Sequence, residues 1–119
     1  MSIVDETILK AKEIADVTAK KASQISALTK LNVNLAETKG AIEKEYKELG
    51  ELVYTAVKND IQQGELVEEK VRILDELIFQ KEELCLKIAN IKGKKLCSEC
   101  KKENDADSLY CCKCGNSLN

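Results

Sequence analysis

The 119-residue chain has no proline, no histidine and no tryptophan, and aromatic residues make up only 3% of it. The absence of proline favours long, uninterrupted helices, because proline breaks helix interiors more strongly than any other residue. With so few aromatic rings, the 44% of residues that are hydrophobic are mostly alanine, valine, isoleucine and leucine. That composition suits the seams between helices better than a thick globular core.

The residues that catalysis most often uses are also scarce. Without histidine the chain lacks the commonest general base, and its five glycines are isolated, so they form no phosphate-binding loop. The acids between Glu43 and Glu51 alternate with Lys44 and Lys47, as they do on a solvated helix surface. We therefore expect a protein that is not an enzyme and has no small-molecule substrate.

The charges are balanced, with 19 lysines and arginines against 21 acids and a formal net charge of -2. A nonspecific grip of the whole chain on phosphate backbones is not expected from that balance. The N-terminus lacks a cationic stretch followed by an apolar run, and no segment approaches the roughly 20 apolar residues of a membrane span. We expect a soluble, cytoplasmic protein without a membrane span.

The first 30 residues contain a narrow, alanine-rich stripe at the spacing of one helix face. It consists of Val4, Ile8, Ala11, Ala15, Ala22 and Ile25. Such a helix would pack lightly on a partner helix, fray, or form a dimer seam. A membrane-surface helix is the least favoured alternative, because the stripe has no large anchoring side chains.

A stronger stripe follows over residues 28–57, close to a heptad with charged residues between its members. Its members are Leu28, Leu31, Leu35, Ile42, Tyr46, Leu49, Val53 and Val57. Gly40 and Gly50 interrupt it, and each costs about 1 kcal/mol relative to alanine in a helix interior. We expect a break or kink near Gly40.

The polar stretch from Asn59 to Gly64 predicts a turn, and a second helix should run from about Glu65 to Lys92, before the stop signal of Gly93. Its apolar face consists of Val67, Val71, Leu74, Leu77, Ile78, Leu84, Cys85, Ile88 and Ile91. A short turn brings this helix back antiparallel to the first, as a coiled-coil-like helical hairpin. The N-terminal helix either extends the first arm or folds back as a third helix.

Five of the six cysteines lie near the C-terminus, and four of them have two, ten and two residues between them. These are Cys97, Cys100, Cys111 and Cys114. Two-residue gaps let tight turns aim pairs of thiolates at one zinc ion, whose structural sites are tetrahedral. The segment has too few apolar residues to fold by burial alone, so we expect one structural zinc to hold it together. A disulfide pair, a redox dithiol or an iron–sulfur cluster is a less favoured interpretation.

The fold class is therefore mostly α, with a long helical hairpin over residues 1–95 and a small four-cysteine ribbon over residues 96–119. Two cysteines remain outside the predicted ligand set. Cys112 is expected to be a free, exposed thiol, with a redox or alternative-ligand role as the minority interpretation. Cys85, on the apolar face of the second helix, is expected to be a small buried hydrophobe.

The ribbon resembles the short zinc-ribbon domain that many poorly characterised bacterial and archaeal proteins carry, often at the C-terminus. Besides the four cysteines and their spacing, the chain matches that family's pattern at Asn104, Tyr110 and Gly115. It departs from the pattern at Ser98, where the family usually has proline, and at Lys101, where it usually has glycine. The resemblance implies a metal-binding fold with a looser first turn, and implies little about biological role.

Because a zinc ion held by four thiolates has no open position for substrate, the site is expected to be structural. We expect the protein to bind a protein partner or to self-associate through its helical seams. The alternative is an RNA- or DNA-associated protein that uses lysines around the ribbon. These are Lys94, Lys95, Lys101, Lys102 and Lys113.

Overall fold

The computed structural model describes the backbone of residues 3–119 and the side chains of Lys10, Lys12 and residues 17–119. Two helices, α1 (Ile3–Asn59) and α2 (Gly64–Lys92), precede two short strands, β1 (Lys94–Leu96) and β2 (Glu103–Asp105). The helices form a hairpin, which confirms the predicted fold class. Over the part of the chain that the structure describes, neither helix has a stretch long and apolar enough to cross a membrane. The chain divides into two compact units, Met1–Lys30 and Leu31–Asn119.

The helix α1 is continuous through both of its glycines, so the expected break near Gly40 is wrong. Gly40 and Gly50 both lie on exposed positions of the helix. Their neighbours are mostly alanine, glutamate, lysine and leucine, which are strong helix formers and outweigh the local cost of glycine. The segment from Ile3 to Lys30 belongs to this same helix.

The unit Met1–Lys30 contains the alanine-rich stripe. The side chains of Val4, Ile8, Ala11 and Ala15 lie outside the described residues. Ala22 and Ile25, the remaining members of the stripe, are exposed. These two side chains are therefore not packed against a partner helix.

The predicted turn and second helix are confirmed to within one residue. Asp60 takes a left-handed conformation with φ 51°, and the Ile61 amide donates to the carbonyl of Ala56 at 2.9 Å, which closes the end of α1. At the other end of α2, Gly93 has φ 69° and its amide donates to the carbonyls of Ala89 and Asn90. A left-handed glycine after the last helical residue is the common way to end a helix, and it turns the chain directly into β1.

One row of buried or half-buried residues runs along each helix of the hairpin at alternating spacings of three and four, as in a coiled coil. On α1 between Leu31 and Asn59 they are Leu31, Leu35, Thr38, Ile42, Glu45, Leu49, Leu52 and Ala56. On α2 they are Val67, Lys70, Leu74, Leu77, Lys81, Leu84, Ile88 and Ile91. Tyr46, Val53 and Val57, together with Val71, were expected in this seam but are exposed. The seam instead includes the polar residues Thr38 and Glu45, on the row of α1 positions next to the row that contains Tyr46 and Val53.

An ion pair crosses the seam between the two helices. The Nζ atom of Lys70 lies 2.9 Å from the carboxylate of Glu45, and it also donates to Glu48. The hydrogen bond to Glu48, followed by the one to Glu45, raises the pKa of Lys70, so this lysine is fully charged at neutral pH. Because the three residues lie on facing helices, the pair favours this one alignment of α2 against α1.

The ribbon begins with a two-stranded antiparallel sheet, in which Lys94 pairs with Asp105 and Leu96 with Glu103. The side chains repeat this register, since Lys94 forms an ion pair with Asp105. Lys92, at the end of α2, lies 3.5 Å from Glu103 and ties the sheet to the helix. With β1 lying against α2, the strand fixes where the following cysteines are held.

Candidate metal centre

Two equivalent tight turns present the four cysteines. We call Cys97–Lys102 the first knuckle and Cys111–Asn116 the second knuckle. In the first, the Cys97 carbonyl accepts from the Lys101 amide, and the Cys97 amide donates to the Lys102 carbonyl, both at 3.0 Å. In the second, Cys111 makes the same two bonds with Gly115 and Asn116, at 3.0 and 2.8 Å. The spacing of the cysteines is local, so these turns follow directly from the sequence.

In each knuckle the residue directly after the last cysteine, Cys100 or Cys114, has a left-handed backbone conformation. Gly115 fills that position in the second knuckle with φ 78°, and Lys101 fills it in the first with φ 63°. Glycine adopts this conformation at no steric cost, whereas a residue with a Cβ adopts it only with steric strain. The departure of Lys101 from the family pattern therefore leaves the turn in place, with backbone strain at that residue.

The knuckles bring all four predicted ligands together, with their Sγ atoms within 4.8 Å of one another. The Sγ atoms of Cys97 and Cys114 are 3.5 Å apart, as are those of Cys100 and Cys111. A tetrahedral zinc ion with Zn–S bonds of about 2.3 Å separates its sulfurs by about 3.8 Å. The cluster thus has the size of a four-thiolate metal site, and its four thiols are free.

Backbone amides point at the sulfurs and stabilise thiolates. The amides of Cys100 and Glu99 lower the pKa of Cys97. In the second knuckle the amide of Cys114, assisted by that of Lys113, lowers the pKa of Cys111 to about 5. These amides stabilise negative charge on the two buried sulfurs, which is the form that binds a metal.

At Cys114, the exposed cysteine of the cluster, the close approach of the other sulfurs acts to raise the thiol pKa. The amide of Asn116 acts to lower the pKa of Cys114, but desolvation and the neighbouring thiols Cys97, Cys100 and Cys111 together raise it to about 12. Several thiolates this close repel one another, so the cluster keeps protons unless a cation replaces them. A divalent metal ion supplies the positive charge that this arrangement needs.

Asn104 joins the two knuckles. Its side chain is only 4% exposed, its Nδ2 donates to the Lys102 carbonyl at 3.0 Å, and its Oδ1 accepts from the Cys112 amide at 2.9 Å. Both ends of the amide are therefore used, one in each knuckle. This gives a physical reason for asparagine at the position where the family pattern has it.

The two remaining cysteines lie outside the cluster. Cys112 is exposed and free, as expected, and its neighbour Cys111 takes the buried position. Cys85 is half-buried rather than fully buried, and it lines a small space with Ile78, Leu96 and Cys100. Neither belongs to the group of four sulfurs.

The ribbon lysines are largely occupied by contacts within the ribbon. Lys94 pairs with Asp105, Lys95 donates to the Ser108 carbonyl at 3.5 Å, and Lys101 donates to the Ser98 carbonyl at 3.0 Å. Within the described part of the chain, Lys102 and Lys113 have no such side-chain partner.

Sequence reasoning missed the outward-facing apolar side chains of the hairpin. Phe79 and Leu86 are exposed on α2, and neither belongs to the predicted apolar face. Their separation of seven residues was the available signal, because it places both on one outer row of the helix.

The comparisons with known proteins identify no relative. No family model, no curated protein and no solved structure matches the chain. The geometry of the four cysteines and of the two knuckles therefore carries the interpretation of this centre.

Proposed function

We propose that the four clustered cysteines hold one structural zinc ion, which folds the ribbon. The support is the tetrahedral size of the sulfur cluster and the backbone amides directed at Cys97 and Cys111. The ribbon also buries little apolar surface, since Leu109 and Tyr110 are both exposed. A segment of that kind depends on its metal for folding free energy.

We further propose that the protein is a non-enzymatic interaction or adaptor module that binds other proteins. The observation that carries this proposal is that all four aromatic residues are exposed. Tyr46, Tyr54, Phe79 and Tyr110 are exposed by 53%, 68%, 60% and 67%. Aromatic side chains normally dominate cores, and on surfaces they are enriched where proteins bind one another.

Three of the four aromatic residues lie on helices, which favours recognition of a partner. Tyr46 and Tyr54 are on α1 and Phe79 is on α2, so the hairpin holds them in place without help from a loop. Because the backbone that carries them is already ordered, no segment of backbone has to become ordered on binding, and less of the binding free energy is lost to entropy. The seam ion pair of Lys70 with Glu45 and Glu48 supports this by fixing the alignment of the helices.

The nucleic-acid alternative has less support from the same residues. Three of the five ribbon lysines are held by Asp105 or by backbone carbonyls of the ribbon. Exposed acids such as Glu99 and Asp107 lie in the same segment and would repel phosphates.

The test is quantitative affinity capture with the full, zinc-loaded chain as bait, comparing the wild type with a Tyr46→Ser, Tyr54→Ser, Phe79→Ser variant. Nuclease treatment before capture removes contacts bridged by nucleic acid. We expect a defined protein, or a second copy of the chain, to be enriched by the wild type and lost with the variant. Identical capture by both chains would contradict the proposal.

A further inference from the structure

An open groove of about 420 Å³ lies where the outer face of α2 meets the first knuckle. Its helix wall carries Phe79 and Leu86, and its ribbon wall carries Leu96. Phe79 and Leu86 are more than half exposed, at 60% and 51%, so the fold itself does not use their apolar surface. The size of the groove falls within the range of sites that hold small ligands or a few side chains of a partner.

The rim of this groove is negatively charged. Glu82 and Glu83 line it, and within the described residues neither carboxylate takes part in an ion pair. Lys101 also lines the groove, but its Nζ donates to the carbonyl of Ser98 in the first knuckle. Two further acids of α2, Asp75 and Glu76, are exposed about one turn before Phe79.

We infer that this groove binds a basic amphipathic segment of a protein partner. An apolar side chain of that segment enters between Phe79, Leu86 and Leu96, and a neighbouring lysine or arginine pairs with Glu82 and Glu83. Apolar contacts supply most of the affinity, while the acidic rim selects a cationic partner and rejects acidic ones. This inference rests on the proposed interaction function and names the chemistry of the partner.

The groove also depends on the metal centre. Its ribbon wall includes Leu96, Cys97 and Ser98, and Cys97 is one of the four clustered cysteines. Without a metal the first knuckle loses what holds it, so that wall is lost. We therefore expect binding in the groove to require zinc.

A labelled peptide of about four helical turns tests this inference. The peptide consists of lysine and leucine, with the leucines at the spacing of one helix face, and a glutamate–leucine peptide of the same pattern is its counterpart. Fluorescence anisotropy with the full, zinc-loaded chain should show binding of the lysine peptide and none of the glutamate peptide. Removal of zinc with a chelator should abolish that binding.

Three variants locate the binding site. The Phe79→Ser, Leu86→Ser variant should bind the lysine peptide at least about tenfold more weakly. The Glu82→Gln, Glu83→Gln variant should bind more weakly and with less salt dependence, because the screened ion pairs are gone. A Leu66→Ser variant serves as the matched control, since Leu66 is an exposed apolar residue of α2 outside the lining of the groove, and it should bind as the wild type does. Circular dichroism and zinc content confirm that each variant is folded.

Absence of lysine-peptide binding, equal binding of both peptides, or unchanged binding by the Phe79→Ser, Leu86→Ser variant would overturn the inference. The proposed interaction function would still stand in that case if capture of a partner depended on Tyr46 and Tyr54. It would fail separately if capture were also insensitive to all the aromatic substitutions.

Discussion

The sharpest prediction concerns Lys101, the residue of the first knuckle that has a left-handed backbone conformation. Lys101→Gly removes a Cβ from a backbone with φ 63°, which relieves about 1–2 kcal/mol of strain. Glycine also loses more conformational freedom on folding, by about 0.5–1 kcal/mol. The difference predicts a net stabilisation of about 0.5–1 kcal/mol. Gly115→Ala, at φ 78° in the second knuckle, should show a change of similar size and opposite sign.

Zinc affinity measures this difference, because folding of the ribbon and binding of its metal are coupled. In competition with a chromophoric chelator, Lys101→Gly should bind zinc about two- to fivefold more tightly, and Gly115→Ala more weakly by a similar factor. Lys102→Gly is the matched control: the residue has the same side chain but no positive φ, so glycine should only weaken binding. Weaker zinc binding by Lys101→Gly, or equal effects of the two lysine substitutions, would refute the reasoning.

Three further changes test other parts of the structure. Asn104→Ala removes the partner of the Cys112 amide and one of the two hydrogen bonds to the Lys102 carbonyl. The loss costs about 1–3 kcal/mol and should weaken zinc binding about 5- to 150-fold, whereas Asn116→Ala, on an exposed side chain, should have little effect in the same chelator assay. Because the pKa of Cys111 is lowered to about 5, its stabilising charge is present above the ordinary thiol pKa and is lost as the pH falls through about 5. Zinc affinity in the same chelator assay should therefore fall as the pH is lowered, because the thiolates that bind the metal become protonated, and an affinity that does not change between about pH 7 and about pH 5 would contradict this assignment. Lys70→Ala should lower the midpoint of thermal unfolding, followed by the helical circular dichroism signal, more than Arg72→Ala does. The reason is that Lys70 joins two helices, whereas Arg72 pairs with Glu69 three residues away on its own helix. Equal midpoints of the two variants would show that the ion pair across the seam contributes nothing to stability.

The metal centre follows from the sequence to the extent that its geometry is local. A gap of two residues between cysteines defines a knuckle without reference to the rest of the chain, and the structure brings Cys97, Cys100, Cys111 and Cys114 within 4.8 Å of one another. The contacts that join the knuckles are not local. The hydrogen bonds of Asn104 and the pairing of Lys94 with Asp105 depend on how the strands align, which the cysteine spacing does not determine.

For the hairpin too, the sequence predicted the features that depend on local residues better than the contacts between distant ones. Helix ends and the turn were predictable because Gly93 and the polar stretch before Gly64 act locally. The seam was predicted only in part, because an apolar stripe through Ile42 and Leu49 continues equally well to Val53 or to Leu52. Pairing of Glu45 with Lys70 across the helices favours the observed row, and a pattern of apolar residues does not contain that information.

Metal content tests the central claim most directly. Mass spectrometry of the purified chain under native conditions should show one zinc ion per chain, retained in a Cys85→Ser, Cys112→Ser variant and lost in a Cys100→Ser, Cys114→Ser variant. The first pair lies outside the sulfur cluster and the second belongs to it, so the two variants remove equal numbers of thiols. A chain without zinc whose mass indicates disulfide bonds, or zinc lost equally from both variants, would contradict the account.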